Sequence, residues 1–140
     1  MLPLIAGAQL GQDGKYWDQN SVGFGCGYSG SASRPVSRVL HYFQNRNYKK
    51  IKEGLTSELP ADRFLAVVLL EKLHARNELP LTQEEMRTMD TIRKSEIRVP
   101  VCSGCTYWNE EPMNQLLSPS HPIYVSAGYW FDHYYDKENR

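Results

Sequence analysis

The feature that most limits how this chain can fold is a run of seven consecutive apolar residues, FLAVVLL, at positions 64–70. The run follows Pro60 and continues into EKLHARN, so the whole segment is longer than an ordinary buried strand and favours a helix. Seven consecutive apolar side chains cover almost the whole circumference of a helix, which then has to be enclosed by other elements. We therefore predict that residues 61–77 form the central helix of the core.

Amphipathic patterns before and after this run predict further helices. Apolar residues recur at helical spacing in three segments, which are residues 36–43, 48–55 and 86–92. Thr82 and Glu85 form the T-x-x-E pattern of a capping box, which marks a helix start. A last short stripe lies at residues 113–117. We expect an all-α fold of four to five helices in stacked antiparallel hairpins.

Residues 48–81, YKKIKEGLTSELPADRFLAVVLLEKLHARNELPL, resemble a HEAT-type helical hairpin. A first helix ends in a leucine, a short proline-bearing turn follows, and the second helix opens with Asp62-Arg63 before its alanine and leucines. The capping-box helix that follows, to about residue 95, corresponds to the first helix of a next repeat. The resemblance implies stacked helical hairpins that bind another macromolecule, and it carries no catalytic residues.

The segments outside this helical region are irregular in pattern. Seven of the ten glycines lie between Gly7 and Gly30, and glycine permits tight turns and positive φ, so residues 9–33 are expected to form a glycine-rich arm. The arm carries aromatic residues that predict packing onto the body. Residues 97–101 alternate as in a strand, and Pro100 suits only a sheet edge. We expect the arm to meet the irregular loop 96–108, because both segments carry cysteine.

The chain of 140 residues predicts a single domain spanning residues 1–140. Its predicted parts are residues 1–8 as the remnant of a signal peptide, 9–33 as the arm, 34–118 as the helical core and 119–140 as an aromatic tail. Ala6-Gly7-Ala8 fits the A-x-A pattern of a signal-peptidase site, which predicts export to the periplasm or the exterior. The alternative is an ordinary apolar leader on a cytoplasmic protein.

The charge balance limits the classes of partner. Sixteen basic side chains match sixteen acidic ones, so no global field attracts nucleic acid or anionic lipid. A local basic cluster (Arg46, Lys49, Lys50 and Lys52) is interpreted as a solvated helix face. No apolar run approaches the length of about eighteen residues that predicts a membrane span. The expected partner is a protein.

Three cysteines carry the sharpest chemical signal: Cys26, and the Cys102 and Cys105 of VCSGCTYW. We predict that they form one structural cluster, since both segments are glycine-bearing turns flanked by aromatic residues. In an exported chain a disulfide from Cys26 to one of the pair is the leading outcome. The alternatives are free buried thiols, or a zinc site in which the three thiolates are joined by His121 or His133.

Two function classes follow from these features. The first is a non-enzymatic helical interaction domain, with no catalytic residue, metal or cofactor, that binds an unknown protein partner. The second is a thiol-dependent enzyme, either a C-x-x-C redox protein or a hydrolase that uses Cys26 as its nucleophile. The base of such a hydrolase would be His41, His121 or His133.

Overall fold

Helix α4 (Pro60–Ala75) occupies the centre of the fold. In the computed structural model, which describes residues 10–27, 30–104 and 107–138, every side chain from 64 to 70 is at most 1% exposed. The prediction of a central helix is therefore confirmed. Leu73 extends the buried set by one turn, and the helix ends where Arg76 and Asn77 turn away, with Asn77 at a φ of 59°.

The described part of the chain forms six further helices: α1 (Leu10–Asn20), α2 (Arg34–Gln44), α3 (Tyr48–Glu53), α5 (Gln83–Arg93), α6 (Met113–Leu116) and α7 (Pro122–Glu138). A short 3₁₀ turn, Gly54–Thr56, follows α3. Helices α2, α3, α5 and α7 all contact α4, which explains how its whole circumference is covered. The capping box is present, since Glu85 N–H donates to Thr82 Oγ1 at 3.0 Å and Thr82 N–H donates to Glu85 Oε1 at 2.9 Å.

The prediction of an all-α fold is wrong, because three strands form a mixed sheet in the order β1–β2–β3. Strand β1 (Val22–Cys26) pairs parallel to β2 (Arg98–Gly104), which pairs antiparallel to β3 (Tyr107–Pro112). Strand β1 contains two glycines and β3 has a polar composition, so residue propensities do not predict either segment as a strand. Their pairing is decided by contacts with β2, whose residues Val99 and Val101 are fully buried.

The strand-like segment predicted at a sheet edge is the central strand, so that expectation is also wrong. The register explains how β2 tolerates a proline. Pairing with β1 begins at Val101, opposite Val22, so Pro100 precedes the part of β2 that is paired on both sides. Ile97 and Met113 form a hydrogen-bonded pair, since Met113 N–H donates to Ile97 O at 2.8 Å. Hydrogen-bonded and non-hydrogen-bonded pairs alternate along an antiparallel ladder. Pro100, three positions after Ile97 and opposite Glu110, therefore lies in a non-hydrogen-bonded pair and needs no N–H for the bond to β3.

Two segments expected to lie outside the helical core each contain a helix. Helix α1 lies within the segment expected to be an arm, and α7 lies within the segment expected to be an aromatic tail. Helix α7 buries Ile123, Ala127 and Phe131, which recur every four residues. The ring of Phe131 lies 5.2 Å from that of Phe43 on α2, so these aromatic residues belong to the core. Within the described residues, no helix has the length and apolar character needed to cross a bilayer.

Candidate functional site

A disulfide joins Cys26, at the end of β1, to Cys102 in the middle of β2. The two Cα atoms are 5.7 Å apart and the two residues are separated by 76 positions in sequence. The predicted link from Cys26 to one of the C-x-x-C cysteines is thereby confirmed, as is the predicted meeting of the arm with the 96–108 segment. Cys105, the third member of the predicted cluster, lies outside the described residues.

The sulfur atoms of this bridge lie directly over the backbone of Gly23. A Cβ atom built on Gly23 would overlap the Sγ atoms of both Cys26 and Cys102, so only glycine fits at this position. The Ser21 hydroxyl lies 3.2 Å from Cys102 Sγ, and Cys102 is 1% exposed. The bridge is therefore enclosed by protein on the Cys102 side.

A buried serine holds β1 in the position that this bridge requires. The Ser33 hydroxyl donates to Ser21 O at 2.8 Å and accepts from Gly23 N–H at 3.1 Å. Ser33 N–H also donates to Gly23 O at 2.9 Å. Ser33 is 2% exposed and precedes α2, but its side chain makes no capping bond to that helix. Its sequence signal, a serine before Arg-Pro, indicates a helix start and gives no sign of the contact with β1.

The disulfide uses two cysteines that the enzymatic and zinc alternatives require as thiolates. A bridged Cys26 is not a nucleophile, and two of the three thiolates that the zinc alternative requires are consumed by the bridge. Within residues 10–27, 30–104 and 107–138, no group of three or more His, Cys, Asp or Glu side chains is arranged to hold a metal ion. His41 is exposed on α2, and His133 is exposed on α7 with its ring edge against Tyr134.

His121 lies in a hydrogen-bonded cluster that sequence reasoning missed. Its Nε2 lies 2.5 Å from Glu111 Oε1, and its Nδ1 accepts from Ile123 N–H at 3.0 Å, in the first turn of α7. The Tyr107 hydroxyl donates to the other oxygen of Glu111. Because Nδ1 is an acceptor, the neutral ring carries its proton on Nε2 and donates it to the carboxylate. Both ring nitrogens are thus engaged, and neither can act as a base toward a thiol in this arrangement.

The pKa of Glu111 lies below its ordinary value. Burial is the largest single influence and raises the pKa, whereas the hydrogen bonds that Tyr107 and His121 donate to the carboxylate lower it, and the net shift is downward. The carboxylate is therefore ionised at neutral pH and ties β3 to the start of α7. No spacing rule connects these three positions, so only the folded chain brings them together.

Three aromatic side chains of α1 and β3 form a surface that we call the aromatic corner: Tyr16, Trp17 and Trp108. The Trp17 and Trp108 rings meet edge to face at 5.6 Å, and Tyr16 meets Trp17 in the same way at 5.9 Å. Tyr16 and Trp108 remain 43% and 37% exposed. Burial, followed by the charge of Glu110 and a hydrogen bond to it, raises the pKa of the Tyr16 hydroxyl. The corner is thus a partly exposed aromatic surface with the Glu110 carboxylate beside it.

The predicted basic cluster is partly neutralised in the fold. Lys50 pairs with Glu53 at 3.5 Å, and Lys52 pairs with Glu85 at 3.2 Å. These ion pairs give the surface alternating rather than uniformly positive charge, which is typical of a solvated helix face.

Comparisons with known proteins give no relative from which a role can be transferred: no family model, curated protein or solved structure matches this chain.

Proposed function

We propose that this chain is a non-enzymatic interaction domain of an oxidising compartment, and that it binds a protein partner through the aromatic corner. The observation that carries the proposal is the exposure of Tyr16 and Trp108, whose rings both contact Trp17, at one place on α1 and β3. Tyrosine and tryptophan are enriched at protein interfaces, because they bring a large apolar area and a polar tip at low entropic cost. Clustered exposed rings of this kind mark interaction sites more often than isolated ones.

The disulfide supports the proposal in two ways. Disulfides form and persist in secreted and periplasmic proteins and are rare in the reducing cytosol, which supports export. The bridge also fixes β1 to β2, and Ser21 N–H bonds Trp17 O at 3.0 Å, so the end of α1 is fixed with them. A rigid platform reduces the entropy lost when a partner binds.

The carboxylate beside the corner sets its charge preference. Glu110 lies on β3 and accepts a hydrogen bond from the Tyr16 hydroxyl. A partner with basic side chains around an apolar contact therefore complements this surface. The resemblance of residues 48–95 to HEAT-type hairpins stays a prediction, and it agrees with a binding rather than a catalytic role.

The test uses site-specific photocrosslinking at two tyrosines. A benzoylphenylalanine in place of Tyr16 should yield a defined adduct in the native extracytoplasmic fraction, whereas the same probe in place of Tyr129, which is 73% exposed on α7, should not. The captured protein is then purified and titrated against the oxidised domain. The double variant Tyr16→Ser/Trp108→Ser should weaken its binding by about tenfold or more, as is usual for interface aromatic residues. Urea unfolding of the variant controls for loss of fold.

Two results would count against the proposal. One is equal crosslinking from the Tyr16 and Tyr129 positions, which would indicate nonspecific contact. The other is catalytic reduction of insulin by the dithiol form that disappears in Cys102→Ala, which would favour the thiol-dependent enzyme instead.

A further inference from the structure

A cavity of about 210 Å³ opens between α2, α3 and the first two turns of α4. Its floor is apolar and consists of Pro35 and Val39 from α2, Ile51 from α3, and Leu65 and Ala66 from α4. All five floor residues belong to the buried set of the protein. The floor is therefore fixed by the same packing that forms the core, and the cavity does not depend on a loop for its shape.

Charged and polar groups surround the mouth of the cavity. Arg38 pairs with Asp62 Oδ1 at 3.0 Å, and the Ser57 hydroxyl donates to Asp62 Oδ2 at 2.8 Å. Lys50 and Glu53, both on α3, also line the cavity and pair with each other at 3.5 Å. The Asp62 side chain is 24% exposed and that of Arg38 is 41% exposed, so both can be reached from solvent.

The size and charge of this cavity restrict its ligand. Sites for drug-sized ligands and cofactors usually occupy about 300 to 1,000 Å³, so nucleotides and similar molecules are too large. A cavity of about 150 Å³ is already sufficient for benzene, so one aromatic ring with a small substituent fits 210 Å³. The charges of the two cationic and two anionic side chains around the mouth balance one another. A charged ligand would therefore find no unpaired group of opposite charge in the cavity, and its burial there would be unfavourable.

The polar groups specify what the ring should carry. A carboxylate has about four acceptor sites, and the bonds from Arg38 and Ser57 occupy two of those on Asp62. A hydroxyl or indole N–H at the mouth can therefore donate to Asp62. The guanidinium of Arg38 lies beside the same carboxylate, where it can contact the face of a bound ring.

We propose that this cavity binds a neutral aromatic group with one hydrogen-bond donor, a phenol or an indole. The ring occupies the apolar floor and the donor bonds Asp62. This site goes beyond the proposed interface, because no residue of the aromatic corner lines it. The same chemistry is available from a free small aromatic molecule and from a tyrosine or tryptophan side chain of another protein.

The experiment is an amide NMR titration of the oxidised ¹⁵N-labelled chain with 4-methylphenol, and with 4-fluorotoluene as the matched ring without a donor. We expect shifts confined to residues around the cavity, with a Kd on the order of 1 mM for a ligand of this size. 4-Fluorotoluene should bind about tenfold more weakly, because it cannot donate to the Asp62 carboxylate. N-acetyltyrosinamide separates the two sources: binding as tight as 4-methylphenol supports a side chain as ligand, and exclusion supports a free molecule.

Variants at the floor and at the mouth test the position of the ring. Val39→Phe fills the floor and should abolish the shifts, and Arg38→Ala, an exposed change that leaves the core intact, should weaken binding several-fold. Arg38→Ala decides the result if Val39→Phe does not fold. Tyr16→Ser/Trp108→Ser should bind 4-methylphenol like the parent chain, so loss of the partner and loss of this site are measured separately. Equal affinity for both small ligands, or shifts centred on the aromatic corner, would overturn the proposal.

Discussion

Reduction of the Cys26–Cys102 disulfide should remove a large part of the stability of this domain. The bridge closes a loop with a sequence separation of 76, and the chain-entropy model then gives about 4 to 5 kcal/mol. Domains of this kind have a total free energy of unfolding of about 5 to 15 kcal/mol, so the reduced form should be marginal. With a slope of about 2 kcal/mol per molar urea, the unfolding midpoint should fall by about 2 M.

The assay is urea unfolding followed by tryptophan fluorescence and circular dichroism, with and without reductant. Cys26→Ala without reductant should match the reduced parent chain, since Cys26 is the less buried partner and its truncation disturbs little else. Cys105→Ala is the matched control and should keep the unfolding midpoint of the parent chain. Peptide mapping without reductant should still show the Cys102 peptide of this variant linked to the Cys26 peptide. If reduction lowers the free energy of unfolding by less than about 1 kcal/mol, the entropic reasoning is refuted. If Cys105→Ala lowers it as much as reduction does, the pairing of Cys26 with Cys102 is refuted.

Three further predictions concern the groups around the bridge and the His121 cluster. Gly23→Ala should destabilise the chain by about 2 to 3 kcal/mol or leave free thiols detectable in the folded protein, because the new Cβ overlaps both sulfur atoms of the bridge. Gly25→Ala is the control, since its Cβ would lie 3.5 Å from the nearest atom. Ser33→Ala leaves the buried Gly23 N–H and Ser21 O without the Ser33 hydroxyl and should cost about 2 kcal/mol in urea unfolding, whereas the same change at the exposed Ser37, one turn later, should be nearly neutral. Tyr107→Phe should raise the pKa of Glu111 and cost about 0.5 to 1 kcal/mol at pH 7, and an equal cost at pH 7 and at pH 3 would contradict this.

The sign of the last effect follows from the direction of the pKa shift. The pKa of Glu111 is lower in the folded chain than in the unfolded one, where it is about 4.3. Its contribution to stability is therefore present above that unfolded value and is lost as the pH falls through the folded value. Tyr107→Phe reduces the difference between the two values, so parent and variant should converge at low pH.

Local features of the sequence were sufficient to predict much of the helical core. The apolar run 64–70 identified α4, because a helix apolar on all sides has only one environment in a folded domain. Thr82 and Glu85 identified the start of α5, because a capping box is formed within one turn of chain. A link from Cys26 to one of Cys102 and Cys105 was also anticipated, although from composition rather than from any spacing rule, and the structure shows that the partner is Cys102.

The sheet was not predictable in the same way, because each of its strands depends on a partner outside itself. Strand β1 contains two glycines and becomes a strand only by pairing with β2, far along the chain. Strand β3 is mostly exposed and polar, and it is held by β2, by Trp17 and by the bond from His121 to Glu111. In α7, the exposed rings between the buried positions obscure the helical period.

The sequence by itself determined where the core helices begin and which residues they bury, since capping and periodic burial depend on neighbours within a few positions. The tertiary structure alone decided the mixed sheet, the role of Ser33, the engagement of both His121 nitrogens and the cavity beside Asp62. Each of these depends on groups from distant segments that come within about 3 Å of one another, and such contacts leave no periodic trace along the chain.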